Sequence, residues 1–150
     1  MKKFQFKLEP YLKYKEFLED RAKMEVGKAV ANVLNCENET EAIKNNINAA
    51  SLAFDKETSL GINAERMYVY TNYINGLESS LESKQKELRQ LILILEQKQK
   101  ELAKKSVEKK TIDNLKDKRK EEYYQNIFKL LQKENDDTII IREASAHNHN

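Results

Sequence analysis

Apolar positions recur along this chain in heptad rhythm, in two long tracts separated by one short break at Ser59-Leu60-Gly61-Ile62-Asn63. The first tract sets Ala22, Val26, Ala29, Val33, Cys36, Thr40, Ile43, Ile47, Ala50 and Phe54 at alternating spacings of four and three. The second sets Met67, Tyr70, Ile74, Leu77, Leu81, Lys84, Leu88, Leu91, Leu95, Lys98, Leu102, Lys105, Lys109 and Ile112 at the same alternation. A 3.5-residue repeat keeps one stripe of a helix against a partner helix. Two such stripes joined by a tight turn satisfy each other by folding back. The pattern predicts an all-α fold, a long antiparallel two-helix coiled-coil hairpin in which the second helix overhangs the first.

Local signals set the limits of these elements. Phe4, Phe6 and Leu8 alternate, which suggests a short extended lead-in. Pro10 is tolerated in the first helical turn and nowhere deeper, so the first helix starts at about 10 and runs to about 58. Gly27 lies inside it and costs about 1 kcal/mol relative to alanine. The turn occupies about 59–63. Gly61 serves as a left-handed helix terminator, and Asn63 caps the second helix with Glu65 in its first turn. That helix runs from about 64 to about 133, a length of about 105 Å. After Asn135-Asp136-Asp137, the β-branched run Thr138-Ile139-Ile140-Ile141 weakens helix, and about 136–150 reads as a frayed tail. Residues 1–150 then form a single coiled-coil domain. With the turn centred near Leu60–Gly61, Ile47 is expected opposite Ile74, Val33 opposite Leu88, Ala29 opposite Leu91 and Val26 opposite Leu95. Small residues on the first helix face large ones on the second, which fills the space between them. The lysines within the second stripe lower stability and favour one register. At Leu18, Ala22 and Val26 the spacing is four and four, a local change of supercoil.

Composition supports continuous helix. Charged residues make up 35% of the chain while Gly and Pro together occupy only four positions. The longest apolar run, Leu91 to Leu95, is far too short to span a bilayer, so no membrane insertion is expected. The N-terminus is basic but lacks the apolar segment of a signal peptide. The single Cys36 cannot form an internal disulfide, fits a reducing cytoplasm and reads as a small core residue. Charge is uneven. Leu34 to Glu65 holds six acids against two bases, and Lys98 to Lys120 ten bases against four acids. A folded hairpin would carry an acidic turn end and a basic open end, either as solvated helix faces or as a means of meeting two different partners.

Motifs for chemistry are missing. There is no phosphate loop, Gly-rich dinucleotide turn, metal-ligand cluster or nucleophile–base pair, so neither an enzyme nor a cofactor is expected. His147 and His149 sit two apart in the tail and make a poor metal set. The basic run from Lys116 to Lys120 precedes Tyr123 and Tyr124, but Glu121 and Glu122 cancel it, which argues against nucleic acid. The tyrosines cluster at Tyr11 and Tyr14, at Tyr68, Tyr70 and Tyr73, and at Tyr123 and Tyr124, a residue type enriched at protein–protein contacts. Tyr70 falls on the core stripe, and Tyr73, one position before Ile74, falls on its flank.

The opening Phe4-x-Phe6-x-Leu8-Glu9-Pro10-x-Leu12-x-x-x-Glu16 resembles the start of the bacterial flagellar export proteins of the FliJ family. So do the charged stretch from Glu108 to Tyr123 and the sequel Gln132 to Asp137. The resemblance implies a non-enzymatic, cytoplasmic component of the flagellar type III export apparatus, active in flagellum biogenesis, protein transport, motility and chemotaxis. It implies a coiled coil similar to the central stalk of rotary ATPases, peripheral at the inner face of the cell membrane at the flagellar base. Implied partners are the hexameric export ATPase, the cytoplasmic domain of the export gate, and export chaperones. By the same resemblance, Tyr70, Tyr73, Ile74 and Leu77 match a gate-contacting patch. Asn45, Asn46, Ala49 and Ala50 stand where the family would carry larger groups on the first helix. The basic residues Lys109, Lys110, Lys116, Lys118, Arg119 and Lys120, at the open end, are expected to dock in the ATPase ring. The heptads alone fit a generic structural or tethering coiled coil equally well, and a stalk protein of another type III secretion system is the other alternative.

Overall fold

The structure, a computed structural model, describes residues 3–147. Of the tail histidines, His149 lies outside the described residues. Two helices follow the lead-in, α1 (Glu9–Leu60) and α2 (Ala64–His147). The first turn of α1 is tied to the lead-in by backbone bonds, Glu9 N–H to the Phe6 carbonyl at 3.1 Å and Leu12 N–H to the Leu8 carbonyl at 2.9 Å. Pro10 sits where no helical N–H is needed. At the other end, Gly61 takes a φ of 89° and its N–H reaches the Thr58 carbonyl at 3.3 Å. A side chain would be strained at that φ. The Asn63 side-chain oxygen then accepts the Arg66 N–H at 2.8 Å, capping α2 as its sequence suggests.

The chain divides into two compact units, Asp20–Lys104 and Met1–Glu19 with Lys105–Asn150. The division falls close to the Leu18-Ala22-Val26 irregularity. In Asp20–Lys104, paired stretches of α1 and α2 run antiparallel through the turn. Ala29, Val33, Cys36, Thr40 and Ala50 of α1 are buried, and the other members of that tract are half-buried. The facing α2 positions from Tyr70 to Lys98 are half-buried, whereas Met67 stays exposed. Burying small side chains under larger, half-covered ones is the packing anticipated above. The turn centres on Ile62, slightly later than expected, and Phe54 packs on Tyr70 with ring centroids 5.6 Å apart. Cys36 Sγ lies 3.6 Å from the Lys84 carbonyl, and the Thr40 hydroxyl donates to the Cys36 carbonyl at 2.8 Å. Lys84 escapes the seam by bonding Glu39 of α1 and Glu87 of α2. Its ammonium is held above the usual lysine range, first by Glu39 and then by Glu87.

In the other unit, Leu12 is buried to 2% exposure. Lys15 pairs with Glu108 at 2.9 Å, and Glu9 with Lys116 at 2.7 Å. Phe4 of the lead-in reaches Tyr123, with centroids 5.7 Å apart. From Leu130 onward α2 is exposed throughout its described side chains, Leu130, Leu131 and Ile139 to Ile141 included.

The helix does not end near Lys133, nor does a frayed tail begin at 136; α2 continues to His147. No Gly or Pro follows Gly76, so nothing interrupts the hydrogen-bond ladder. β-Branching lowers helix propensity by only tenths of a kcal/mol per residue, about the limit of a weak prior. The Thr138 and Ser145 hydroxyls donate back to the Glu134 and Ile141 carbonyls, at 2.7 and 2.8 Å. Among the described residues, no helix is long and apolar enough to cross a membrane.

Replacing Leu12 by alanine is expected to lower unfolding stability by about 2–5 kcal/mol, because it empties a buried site. Leu130→Ala, on the uncovered part of α2, is expected to change it by no more than about 0.5 kcal/mol. Thermal unfolding followed by circular dichroism checks both; equal effects would contradict the packing described.

Candidate functional site

Two surfaces gather the residues that sequence reasoning singled out. The first lies beside the turn. Glu57, near the end of α1, accepts two bonds from the Arg66 guanidinium, one of them 2.8 Å long, and a third from the Tyr70 hydroxyl at 2.7 Å. Arg66 also lies over the Tyr70 ring, 5.9 Å from its centroid. The Arg66 guanidinium, with help from the Tyr70 hydroxyl, holds the Glu57 carboxyl at a pKa of about 2, and Glu57 in turn pushes the Tyr70 phenol up. This clasp was missed by pattern reading. Its signal was an acid and a base on opposite sides of the glycine break, nine residues apart.

The clasp divides the four turn-side candidates. Tyr70 is bound at both ends, its hydroxyl to Glu57 and its ring to Phe54. Ile74 and Leu77 are half-buried on the seam. Tyr73 is 53% exposed and shares an open groove with Asn63, Glu65, Arg66, Val69 and Tyr70. Tyr68 and Val69 beside it are exposed as well. Of the first-helix positions, Ala50 is buried, Asn45, Asn46 and Ala49 are exposed, and none adds an aromatic group. The surface on offer is therefore Tyr73 with Val69 and Tyr68, resting on a seam that Tyr70, Ile74 and Leu77 build.

The second surface lies in the other unit. Lys110, Lys118 and Lys120 are exposed. Lys109 is half-buried on the stripe, and Lys116 is held by Glu9, which raises its pKa. Arg119 bonds Glu122 at 3.5 Å and lines a concavity of about 610 Å³ with Phe4, Phe6, Leu8, Leu115 and Tyr123. Lys110, Lys118 and Lys120 thus present free-facing charge, Arg119 is exposed but engaged by Glu122 of its own helix, Lys109 lies half-buried on the stripe, and Lys116 ties α2 to Glu9 of α1. Among the described residues, no cluster of His, Cys, Asp or Glu is large enough to hold a metal ion.

The family model described as flagellar FliJ protein matches residues 4–147. No curated protein matches the chain. Among solved structures, a YscO homologue from Chlamydia trachomatis is similar at 19% identity and a TM-score of 0.47, covering 91% of this chain and 93% of that one.

The depressed Glu57 carboxyl has a consequence for acid stability. Its folded pKa lies below the ordinary carboxylate value of 4.5, so the clasp contributes fully above that value and is lost as pH falls toward about 2. Wild type is therefore expected to lose stability relative to Glu57→Gln between about pH 4.5 and 2, and not above pH 5. Acid unfolding of the two proteins measures this. Parallel curves through that window would show that Glu57 is not clasped.

Proposed function

Since the chain belongs to the flagellar FliJ protein family, we propose that it is a non-enzymatic, stalk-like component of the flagellar type III export apparatus that links the export ATPase ring to the export gate and to export chaperones. The observation that carries this reading is the family match across both helices, joined to the segregation of two different surfaces on a two-helix frame. A tyrosine-centred apolar surface sits beside the turn, and an exposed lysine set accompanies the paired termini. On such a frame partners are met through the surface of the helices, and in this reading its work is contact.

In this reading the lysine end docks in the ATPase ring. Lys110, Lys118 and Lys120 meet acidic groups of the ring through long-range attraction, which salt screens over a Debye length of about 8 Å at physiological ionic strength. The uncovered part of α2 beyond Leu130 offers apolar side chains to the same region of the ring or to chaperones. Tyr73 meets the gate, because an exposed aromatic leaves apolar surface in water until a partner covers it. The protein works in the cytoplasm, peripheral at the flagellar base, and its loss impairs flagellum assembly and motility.

Binding to the cognate export ATPase tests the first contact. The triple variant Lys110→Glu, Lys118→Glu, Lys120→Glu is expected to weaken ring binding by about tenfold or more at physiological salt, with unchanged helicity. Unaltered affinity would remove this face as the docking surface, and no binding by wild type would leave a tethering coiled coil as the better account.

Tyr73→Ala is expected to lower affinity for the gate's cytoplasmic domain by about tenfold while shifting unfolding by less than about 0.5 kcal/mol. Tyr70→Phe, by contrast, removes a bond to Glu57 and is expected to lower stability. A Tyr73→Ala protein that unfolds early, or binds the gate normally, would make Tyr73 a structural residue.

A further inference from the structure

The seam between the helices changes character along α1. In Asp20–Lys104 none of the α1 stripe residues from Ala22 to Phe54 carries a charge. In the other unit five α1 residues are buried or half-buried, and three of them are charged, Glu9, Lys15 and Glu19 beside Leu12 and Leu18. Of the eight half-buried α2 residues between Lys105 and Lys116, only Ile112 and Leu115 are apolar. Ion pairs join these faces, Lys15 with Glu108 and Glu9 with Lys116, and Glu108 also holds Lys105 at 3.7 Å.

The two kinds of seam answer to different conditions. Apolar burial depends little on ionic strength, whereas an ion pair depends on it directly. The four side chains of the Lys15–Glu108 and Glu9–Lys116 pairs keep between 15% and 39% of their surface in water, so salt reaches them. Desolvation offsets much of the attraction in such pairs. Screening removes more of it as the Debye length falls from about 10 Å at 0.1 M salt to about 3 Å at 1 M. The lead-in rests on the same unit through Phe4 on Tyr123, beside an open concavity rather than a packed layer.

We infer that residues 3–19 form a releasable strap, in which the lead-in and the first turns of α1 come away from α2 together, under ionic control, while the Asp20–Lys104 unit stays closed. The strap ends where the two compact units divide. A stretch as short as 9–19 holds little helix by itself, since isolated helices need about 12–15 residues in water, so it melts as it leaves. α2 needs no such support, being helical beyond Leu130 with its described side chains exposed. Release therefore bares Leu115 and Tyr123, which line the concavity with the lead-in, on a helix that keeps its form. The strap is a property of the chain by itself and stands whether or not this end docks in a ring.

Amide hydrogen exchange of the full chain, read by mass spectrometry at about 0.1 M and about 1 M NaCl, tests this with residues 29–50 as the internal reference. Amides in 9–19 are expected to exchange at least about tenfold faster than those in 29–50. Raising the salt is expected to speed them about threefold further relative to that reference. Lys15→Leu with Glu108→Leu replaces an ion pair by packing, and is expected to slow exchange in 9–19 and shrink the salt response. Phe4→Ala is expected to speed exchange across 9–19 by about threefold or more and to leave 29–50 unchanged, because lead-in and helix open as one. Equal protection of 9–19 and 29–50 at both salt concentrations would show one cooperative hairpin and overturn the strap. Fast exchange in 9–19 that neither salt nor the double substitution alters would be ordinary end fraying and would overturn it as well. So would a Phe4→Ala protein with normal exchange in 9–19, since the lead-in would then lie outside the opening unit.

Discussion

One seam between two helices holds each unit together, and among the described residues no third layer lies behind it. Everything else in the molecule follows from that constraint. A paired helix can bury only the stripe that faces its partner, so among the described residues the buried ones are few and mostly small, and all lie on α1. The larger α2 side chains close over them and remain half-covered. Lysines can occupy the α2 stripe because a long stem lies along the seam while the ammonium reaches outward, as Lys84 does to Glu39 and Glu87. With so little apolar burial, the ends depend on specific polar fastenings. The turn has Glu57, Arg66 and Tyr70, and the paired termini have Lys15 with Glu108 and Glu9 with Lys116.

That constraint also decides where function can lie. Side chains in the seam are committed to pairing, and partners can be met only through the flanks, the turn and uncovered helix. Tyr70 and Tyr73 show the division within three residues. One is clasped by Glu57 and stacked on Phe54; the other stands in the groove beside it. The basic residues divide in the same way, with Lys116 engaged by Glu9 while Lys110, Lys118 and Lys120 face outward. Proximity in sequence to a family motif is thus insufficient to assign a contact, since neighbouring residues of a helix alternate between holding the fold and facing outward.

Much of the frame was legible because the heptad is a geometric repeat. Every member of the two apolar tracts is buried or half-buried except Met67, which sits where α2 has only just left its cap. Gly61 and Asn63 announced the turn by chemistry that few other residues supply. The turn's centre shifted because α1 runs to Leu60, a boundary that propensity does not fix. The persistence of α2 through Thr138 to Ile141 was illegible for a related reason, since weak local preferences yield to an uninterrupted ladder. The Glu57–Arg66–Tyr70 clasp and the docking of Phe4 on Tyr123 depend on which residues meet across the fold. No periodicity along the chain encodes that.

An electron cryomicroscopy reconstruction of the export ATPase hexamer assembled with this protein tests the central claim most directly. The account predicts density for the paired termini within the ring, with Lys110, Lys118 and Lys120 against its inner wall and the Glu57–Arg66 turn outside it. A ring holding the turn, or a ring whose pore stays empty while the protein binds its outer surface, would contradict it.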